Sequence, residues 1–474
     1  MKPRQPPRLS ARAGPQQWAR RQRGQTVAGA NSGPRTVRSA GTDEGERPRT
    51  VSTANPPTRF GYASHLACRE CGATASLGAG HVCLDCFGPL EVSYHLPSLT
   101  RAAIEAGPPN IWRYAPLLPV PPDVAASPST EPGCTRLVRA DQLAAELGMA
   151  RLWVKDERGN PTHSFKDRVV AVALAAAVEL GYQVLACPST GNLANAVAAA
   201  AARAGLRSVV LIPADLEPEK IAATAVYGGT LVAVDGSYDD VNRLASELAD
   251  EREDWAFVNV NVRPYYAEGS KTIGFEIAEQ LGWRLPGQIV VPVASGAQLV
   301  KIDKAFRELI ALGLVPAAGY RVFGAQASGC APVAAAFRAG HDAVSPVRPA
   351  TIAKSLAIGN PADGPYVLDV VRRTGGVVAD VSDPEVVSAM RLLAVTEGIF
   401  GETAAGVTLG VLRRLLADGV LDPAAETVII NSGDGLKTLG AVAGAAAPQP
   451  IRPTLAGFRA FERSATGAGS ARVA

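Results

Sequence analysis

The sequence predicts an α/β protein with two parallel-sheet lobes and a smaller cysteine-rich unit in front of them. After a proline-rich stretch at 107–133, short apolar segments alternate with helical segments. Four of the seven cysteines fall within nineteen residues near the N-terminus, and the apolar fraction of 47% is enough for a large core. The longest apolar run, Val169–Val178, has ten residues. A membrane span needs about 20, so an integral membrane protein is excluded.

The basic character of the chain is concentrated at its N-terminus. Residues 1–42 contain nine basic residues and no acidic residue, whereas the remainder has 38 basic and 44 acidic residues. Residues 1–58 are poor in large apolar residues and are predicted to be a disordered basic tail. A dispensable extension, a transit peptide and a nucleic-acid-binding arm all remain open. No secretory signal is recognisable, which favours the cytoplasm. Residues 447–474 are predicted to be a C-terminal tail.

Residues 59–98 form the cysteine-rich unit. Two Cys-x-x-Cys pairs, separated by eleven residues, can close a tetrahedral site of four thiolates. This pattern predicts a small zinc-ribbon-like segment with structural Zn²⁺, since four thiolates leave no open position for catalysis. Four reduced cysteines without metal are the alternative. The predicted ligands are Cys68, Cys71, Cys83 and Cys86.

Apolar segments that are separated by helices predict parallel strands buried on both faces. More than one core is expected for a region of this length, which is why two lobes are predicted. Helices are predicted over Leu193–Ala204 and Glu219–Tyr227. The predicted strands are Val184–Cys187, Ser208–Ile212, Leu231–Val234, Ile289–Val293, Arg321–Gln326 and Thr427–Ile430.

Lys166 lies in the segment Asn160–Arg168, which reads NPTHSFKDR. Ser164 is a plausible N-cap, so Lys166 falls in the first turn of the following helix. The positive end of the helix dipole disfavours an ammonium group there and lowers its pKa. This position suits a lysine that forms a Schiff base. The alternative is an exposed, solvated lysine.

Three further loops of small and polar residues follow predicted strands, at Pro188–Asn192, Val291–Gln298 and Asn431–Gly435. The backbone N–H groups at the start of a helix can bind a phosphate or carboxylate. None of the loops contains the Gly-Lys-Ser/Thr of a P-loop or a Gly-x-Gly-x-x-Gly motif. Each loop alone is a weak signal, since such loops are common in α/β proteins.

The order of these motifs resembles that of the fold-type II pyridoxal-phosphate enzymes, and within them the threonine synthase family. The resemblance extends from Phe60 to Lys437 and includes Asn259–Thr272, Thr351–Pro361 and Thr396–Phe400. It implies a catalytic unit over 99–446, with the cofactor between a smaller lobe (roughly 165–265) and a larger lobe (roughly 266–446 and part of 99–164). The cysteine-rich unit resembles an extension of many bacterial members.

The resemblance also implies roles for individual residues. Lys166 would bind pyridoxal 5'-phosphate covalently and act as the catalytic base, and Arg263 would hold the substrate phosphate. Three features depart from the family pattern: His163, the SGAQ phosphate loop and the NSGDG motif. Cofactor binding is expected of Lys166, Asn192, Ala294, Ser295, Gly296, Ala297, Gln298 and Ser432. Substrate binding is expected of Ser189, Thr190, Asn259, Asn261 and Arg263.

The implied reaction converts O-phospho-L-homoserine and water into L-threonine and phosphate. A homodimer is expected, with no nucleic-acid or membrane partner. A threonine or serine dehydratase, or a cysteate-synthase-like paralogue, is the alternative within the superfamily. A zinc-ribbon protein that binds nucleic acid is a remote alternative, because residues 64–95 contain Arg69 as their single Lys or Arg. The alternative role of Arg263 is structural: it could pair with Glu268 or cap a backbone carbonyl.

Overall fold

The computed structural model describes residues 58–189, 191–216, 218–443 and 448–467. Residues 1–57 of the predicted basic tail, and Thr190, lie outside the described residues. The strands are β1 (Ala63–Cys68), β2 (Thr74–Ala75), β3 (Leu90–Tyr94), β4 (Arg136–Arg139), β5 (Leu152–Asp156), β6 (Val184–Pro188), β7 (Arg207–Pro213), β8 (Thr230–Val234), β9 (Trp255–Phe257), β10 (Gln288–Pro292), β11 (Arg321–Ala327), β12 (Val378–Val381) and β13 (Thr427–Asn431).

Helices alternate with these strands over most of the described chain. They are α1 (Arg101–Glu105), α2 (Asp141–Leu147), α3 (Lys166–Glu179), α4 (Asn192–Ala204), α5 (Pro218–Ala225), α6 (Tyr238–Glu251), α7 (Arg263–Glu268), α8 (Lys271–Gln280), α9 (Ala297–Ala311), α10 (Pro332–Arg338), α11 (Gly364–Arg373), α12 (Asp383–Glu397), α13 (Thr403–Ala417) and α14 (Leu455–Gly467). None of the described helices is long and apolar enough to cross a membrane.

Two parallel sheets form the main body. The first has the strand order β8-β7-β6-β9, and all its pairings are parallel. The second has the order β12-β11-β10-β13-β5-β4, with β4 antiparallel at one edge. The predicted α/β fold is confirmed, because the apolar segments do form parallel strands. The central strands β6, β10 and β13 are buried on both faces, whereas β8, at a sheet edge, is exposed or partly exposed. The four-stranded sheet lies in the range assigned to the smaller lobe, and the six-stranded sheet in the range assigned to the larger lobe. The boundaries of the two lobes stay a prediction.

The cysteine-rich unit carries a third, antiparallel sheet of order β2-β1-β3. Leu66 and Val92 lie opposite each other on β1 and β3. Both are buried in the same apolar cluster as Val169 on α3 and Tyr265 on α7. The unit therefore shares a core with the four-stranded sheet.

A buried ion-pair network fixes the start of α3, where the predicted catalytic lysine lies. The Arg168 side chain is fully buried, with its Nε 2.6 Å from Glu157 Oε2 and its Nη1 2.7 Å from Glu276 Oε1. Both carboxylates are buried too, and the buried Lys155 Nζ lies 2.7 Å from Glu276 Oε2, so two cations face two anions. Losing one partner of such a buried pair typically costs about 3–5 kcal/mol. The network therefore holds the first turn of α3 firmly.

The C-terminal stretch 447–474 contains a helix, α14, that the sequence did not predict. Its described side chains are exposed or partly exposed. Phe458 and Phe461 contact each other one turn apart, with ring centroids separated by 6.0 Å. This contact and good helix formers such as alanine and arginine favour the helix without a buried face.

Candidate active site

Lys166 is the first residue of α3, within the predicted first turn. The predicted N-cap is wrong: the cap residue is Phe165, and Ser164 Oγ is buried without a hydrogen-bond partner among the described residues. Its side chain is only partly exposed, and its Nζ donates a hydrogen bond of 2.9 Å to the hydroxyl of Tyr266. Burial lowers the pKa of Lys166 to about 8, because the charged form loses its hydration. The exposed, solvated lysine is therefore wrong. An appreciable fraction of this amine is neutral near pH 7 and can act as a nucleophile or base.

Backbone hydrogen bonds join the lysine loop to two loops from distant parts of the chain. The Phe165 amide donates to the Ser432 carbonyl at 3.0 Å, and the Asp434 amide to the His163 carbonyl at 3.1 Å. The Glu402 amide donates to the Gly433 carbonyl, also at 3.0 Å. These pairings bring Lys166, Glu402 and Ser432 to one place, independently of side-chain rotamers.

Glu402 is a site residue that the sequence analysis missed. It is almost fully buried, and its two oxygens accept hydrogen bonds from Ser432 Oγ at 2.9 Å and from Asn192 Nδ2 at 2.8 Å. Asn192 Oδ1 in turn accepts a bond of 3.1 Å from Lys437 Nζ. Glu402 thus orients both predicted cofactor-binding side chains. The available signal was its position two residues after the Thr396–Phe400 motif.

The loop that precedes α9 has the form of an anion site. Gly296 has a φ of +100°, and a Cβ there would lie 2.7 Å from Val367 Cγ2, so glycine is required. The start of α9 lines a cavity that Lys166 also lines, and the free backbone N–H groups of a helix start can bind an anion. Gln298 Nε2 and Ser355 Oγ also line this cavity, and both are buried without a hydrogen-bond partner among the described residues. Unpaired buried donors fit a ligand rich in oxygen atoms.

Ser189 caps α4 from the loop after β6. Its Oγ accepts hydrogen bonds from the amides of Gly191 at 3.0 Å and Ala194 at 2.9 Å. Gly191 has a φ of +134°, and a Cβ there would be 2.3 Å from Lys220 Cδ. These bonds fix the Ser189 side chain against the start of α4, and the close approach of Lys220 requires glycine at position 191. Thr190 lies outside the described residues.

Two adjoining cavities share Lys166 and Tyr266 in their walls. We call them the cofactor cavity and the substrate cavity, after the ligands predicted for their residues. All residues predicted to bind the cofactor line the first, together with Ser189 and Glu402. The substrate cavity is lined by Asn259, Arg263 and, from the cysteine-rich unit, His81.

Arg263 makes one strong ion pair at the wall of the substrate cavity. Its Nη2 lies 2.6 Å from Asp363 Oδ2, and this carboxylate raises the pKa of Arg263. Pairing with Glu268, the alternative considered from sequence, is wrong. Glu268 instead accepts hydrogen bonds from Tyr94 at 2.7 Å and Lys304 at 2.9 Å. Since guanidinium has five N–H donors, Arg263 retains donors for an anion.

The two predicted asparagines occupy different environments. Asn259 lines the substrate cavity, and its Oδ1 is buried without a hydrogen-bond partner among the described residues. Asn261 lines neither cavity; its side chain accepts from the Phe257 amide at 2.9 Å and donates to the Trp255 carbonyl at 3.0 Å. The structure thus places Asn261 as a brace of β9 that positions the loop carrying Asn259.

The four cysteines of the N-terminal unit converge on one point. Their sulfur atoms all lie within 4.8 Å of one another, with Sγ–Sγ distances of 3.4 Å for Cys68–Cys86 and 3.7 Å for Cys71–Cys83. Zinc–sulfur bonds of about 2.3 Å in a tetrahedron require sulfur–sulfur distances of about 3.8 Å. A disulfide requires about 2.05 Å. The cluster therefore fits a bound zinc ion.

Backbone groups support the thiolate form of this cluster. The Glu70 amide donates to Cys68 Sγ and the Gly88 amide to Cys86 Sγ, each at 3.4 Å. The backbone N–H of Cys71 is the main cause of a lowered Cys68 pKa of about 6, whereas contacts with the other thiols raise the pKa values of Cys71 and Cys86. Such N–H groups stabilise a metal-bound thiolate from outside the ligand shell.

Comparison with known proteins identifies the class to which this site belongs. The model of the family described as "Pyridoxal-phosphate dependent enzyme" matches residues 128–433. The chain therefore belongs to the pyridoxal-phosphate dependent enzyme family. A fungal L-serine ammonia-lyase from Rhizomucor miehei has a similar structure, with a TM-score of 0.55 and 24% identity, covering 63% of this chain and 93% of that chain. This likeness supports the fold alone.

Curated relatives narrow the class. A threonine synthase of Methanosarcina acetivorans is 37% identical over 378 residues, covering 79% of this chain and 92% of the relative. A threonine synthase of Methanocaldococcus jannaschii is 36% identical over 376 residues, covering 78% and 92%. The chain is thus similar to threonine synthases over most of its length.

The residues of the cofactor cavity fit pyridoxal phosphate. A lysine with a depressed pKa lies in the same cavity as the start of α9 and the unpaired donors Gln298 and Ser355. Lys166 would hold the aldehyde carbon, and the loop Ala294–Gln298 the phosphate. The arrangement can thus fix one end of the cofactor covalently and the other by an anion site.

Proposed function

We propose that this protein is a threonine synthase, which converts O-phospho-L-homoserine and water into L-threonine and phosphate. One observation carries the proposal: Lys166 and Arg263 line the same cavity. A reactive amine and a cation that can bind a phosphate are the two groups that this substrate requires. The curated threonine synthase relatives support the same activity.

Proton transfer falls to Lys166. When bound, pyridoxal phosphate supplies an electron sink for carbanions next to the substrate amino group. The Lys166 Nζ can take a proton from the substrate Cα and return one, because its pKa of about 8 is near the working pH. The Tyr266 hydroxyl, 2.9 Å away, limits the positions of that amine.

The substrate cavity would select for the phosphate group. A phosphate ester carries about two negative charges near neutral pH, and arginine binds such an oxyanion through charge-assisted hydrogen bonds. Arg263 supplies the charge, and Asn259 adds an amide at the same wall. A dehydratase acting on serine or threonine has no phosphate to hold, so an arginine at this wall favours threonine synthase.

The remaining assignments are proposals of the same kind. Asn192 and Ser432, both held by Glu402, would contact the cofactor ring, and Ser189 with Thr190 would contact the substrate. We propose that the protein acts as a homodimer in the cytoplasm. We also propose that it has no nucleic-acid partner, which the scarcity of basic residues in its cysteine-rich unit supports.

The substrate is tested with Arg263→Ala. Losing a hydrogen bond to a charged group costs about 1.5–3 kcal/mol, so kcat/KM for O-phospho-L-homoserine should fall about ten- to two-hundredfold. The slow side reaction with serine should change much less, since serine has no phosphate. Steady-state kinetics with both substrates give the ratio.

Arg243→Ala is the matched control, because Arg243 is an exposed arginine whose side chain is 67% accessible. It should leave both reactions unchanged. Equal losses with both substrates in Arg263→Ala would remove Arg263 from the phosphate site. A wild-type protein that does not convert O-phospho-L-homoserine would contradict the proposed function.

A further inference from the structure

We infer that the cysteine-rich unit is part of the substrate-phosphate site, with Arg69 as a residue that positions Arg263 through Asp363. This inference rests on the proposed function, since it concerns the same phosphate. Arg69 lies between the two cysteines of the first Cys-x-x-Cys pair. Its position is therefore set by the fold of the cysteine cluster.

The first Cys-x-x-Cys pair contacts the start of α11 through both residues between its cysteines. The Arg69 guanidinium carbon lies 3.4 Å from the centre of the Tyr366 ring, so the two groups are stacked. Arg69 Nη1 is 3.9 Å from Asp363 Oδ1. The carboxylate of Glu70 accepts a hydrogen bond from the Tyr366 hydroxyl. This segment of the unit is thus docked on the segment that contains Asp363.

Asp363 connects the two predicted anion sites. Its amide donates a bond of 2.8 Å to the Ser295 carbonyl in the cofactor-phosphate loop. Its side chain is 8% accessible. One carboxylate oxygen accepts a hydrogen bond of 2.6 Å from Arg263 Nη2, and the other oxygen faces Arg69. One buried carboxylate is thus shared by an arginine of the catalytic unit and an arginine of the cysteine-rich unit.

The sharing matters because Asp363 is an anion beside a site for an anion. Without a second cation, its charge would cancel that of Arg263 and repel a phosphate dianion. Arg69 Nε also lies 3.9 Å from Glu91 Oε2, but Glu91 is paired with Lys301 and Lys304 as well. Arg69 therefore offsets the charge of Asp363, so Arg263 retains attraction for the phosphate while Asp363 holds its orientation. His81, which lines the substrate cavity, shows that the unit reaches this cavity directly.

The test is Arg69→Ala in the cofactor-loaded protein. The KM for O-phospho-L-homoserine and the dissociation constant of inorganic phosphate, from equilibrium dialysis, should both rise about two- to fivefold, as expected for a partly exposed ion pair. The kcat should stay unchanged, because no group beside Lys166 is altered. Arg69→Lys should restore most of the phosphate affinity. Arg59→Ala, at an exposed arginine of the same unit, should have no effect.

A double-mutant cycle with Asp363→Asn separates charge from folding. Once the carboxylate is neutral, Arg69→Ala should have no further effect on phosphate affinity. The inference would be overturned if Arg69→Ala changed phosphate affinity equally in both backgrounds, or in neither. It would also be overturned if Arg69→Lys bound phosphate as weakly as Arg69→Ala. If O-phospho-L-homoserine is converted normally and Arg69→Ala changes neither KM nor phosphate affinity, the inference is wrong but the proposed function stands. A protein that binds phosphate in an Arg69-dependent way but ignores O-phospho-L-homoserine defeats the proposed function alone.

Discussion

The two cavities that meet at Lys166 are built in contrasting ways. In the cofactor cavity, Asn192, Glu402 and Ser432 bind one another, and backbone pairings between loops hold them. In the substrate cavity, Arg263 depends on a single carboxylate, Asp363, that a residue of the cysteine-rich unit also faces. The side chains of the cofactor cavity thus form a closed hydrogen-bond network, whereas the substrate cavity depends on a balance between charged groups.

This difference indicates that the two cavities have different functions, catalysis in the first and phosphate binding in the second. Chemistry at a fixed carbon atom needs reacting groups in one geometry, which a closed network provides. Binding and releasing a phosphate needs a cation that is attractive and yet not permanently neutralised. Mutations in the cofactor cavity should therefore lower kcat, and those in the substrate cavity should raise KM.

The largest effect is expected for Lys166→Ala. Turnover of O-phospho-L-homoserine should fall by at least about 1000-fold, because a nucleophile and a proton-transfer group are lost together. Since the start of α3 is held by the Arg168 network, the variant should remain folded. Single-turnover kinetics and circular dichroism measure the two quantities. Lys166→Arg, which keeps the charge but cannot give up its proton, should be as inactive; substantial activity in either variant contradicts the role of Lys166.

The pH dependence of cofactor uptake should show the next largest effect. Burial lowers the pKa of Lys166 to about 8. The fraction of the amine that is neutral, and therefore reactive, rises with pH below this value and approaches one above it. The rate of cofactor binding to the cofactor-free protein should rise about tenfold per pH unit below the pKa and level off above it. Stopped-flow absorbance measures this rate.

Free N-α-acetyl-lysine, mixed with the cofactor under the same conditions, is the control for the cofactor's own ionisations. Its rate should go on rising toward about pH 10.4, the ordinary value for lysine. A protein rate that follows the same curve would show that the Lys166 amine is not in a desolvated site.

The smallest effect is expected from the double change Cys68→Ser and Cys71→Ser. About one zinc ion per chain should be lost, since two of four ligands are removed. The KM for O-phospho-L-homoserine should rise about two- to fivefold as Arg69 loses its position, while the absorbance of the bound cofactor stays unchanged. Metal analysis and steady-state kinetics test both parts.

Cys134→Ser is the matched control, because Cys134 lies outside the four-cysteine cluster. It should keep its zinc and its KM. A native protein without zinc would show that the cluster is not a metal site. A loss of cofactor absorbance in the double variant would show that the two cavities are not independent.

Local features of the sequence were sufficient for six of the thirteen described strands, the cysteine cluster and the position of Lys166. Apolar segments predicted β6, β7 and β10 to within a residue or two, because strands buried on both faces need continuous apolar side chains. The spacing of the two Cys-x-x-Cys pairs was enough to predict that the four cysteines form one cluster. The first-turn position of Lys166 was predicted correctly, although the N-cap is Phe165 and not Ser164, whose hydroxyl makes no capping bond.

Only the tertiary structure placed Glu402 beside Asn192 and Ser432, and Asp363 between Arg69 and Arg263. Asn192 and Glu402 are 210 positions apart in the chain, and Arg263 and Asp363 are 100 apart. Spacing, periodicity and capping describe neighbours within a few residues, so they hold no information on such pairs. For the same reason the sequence assigned Asn261 to the substrate, although its amide braces the end of β9. Side chains meet across such distances only when the sheets and helices pack, and that packing determined which polar groups face the cavities.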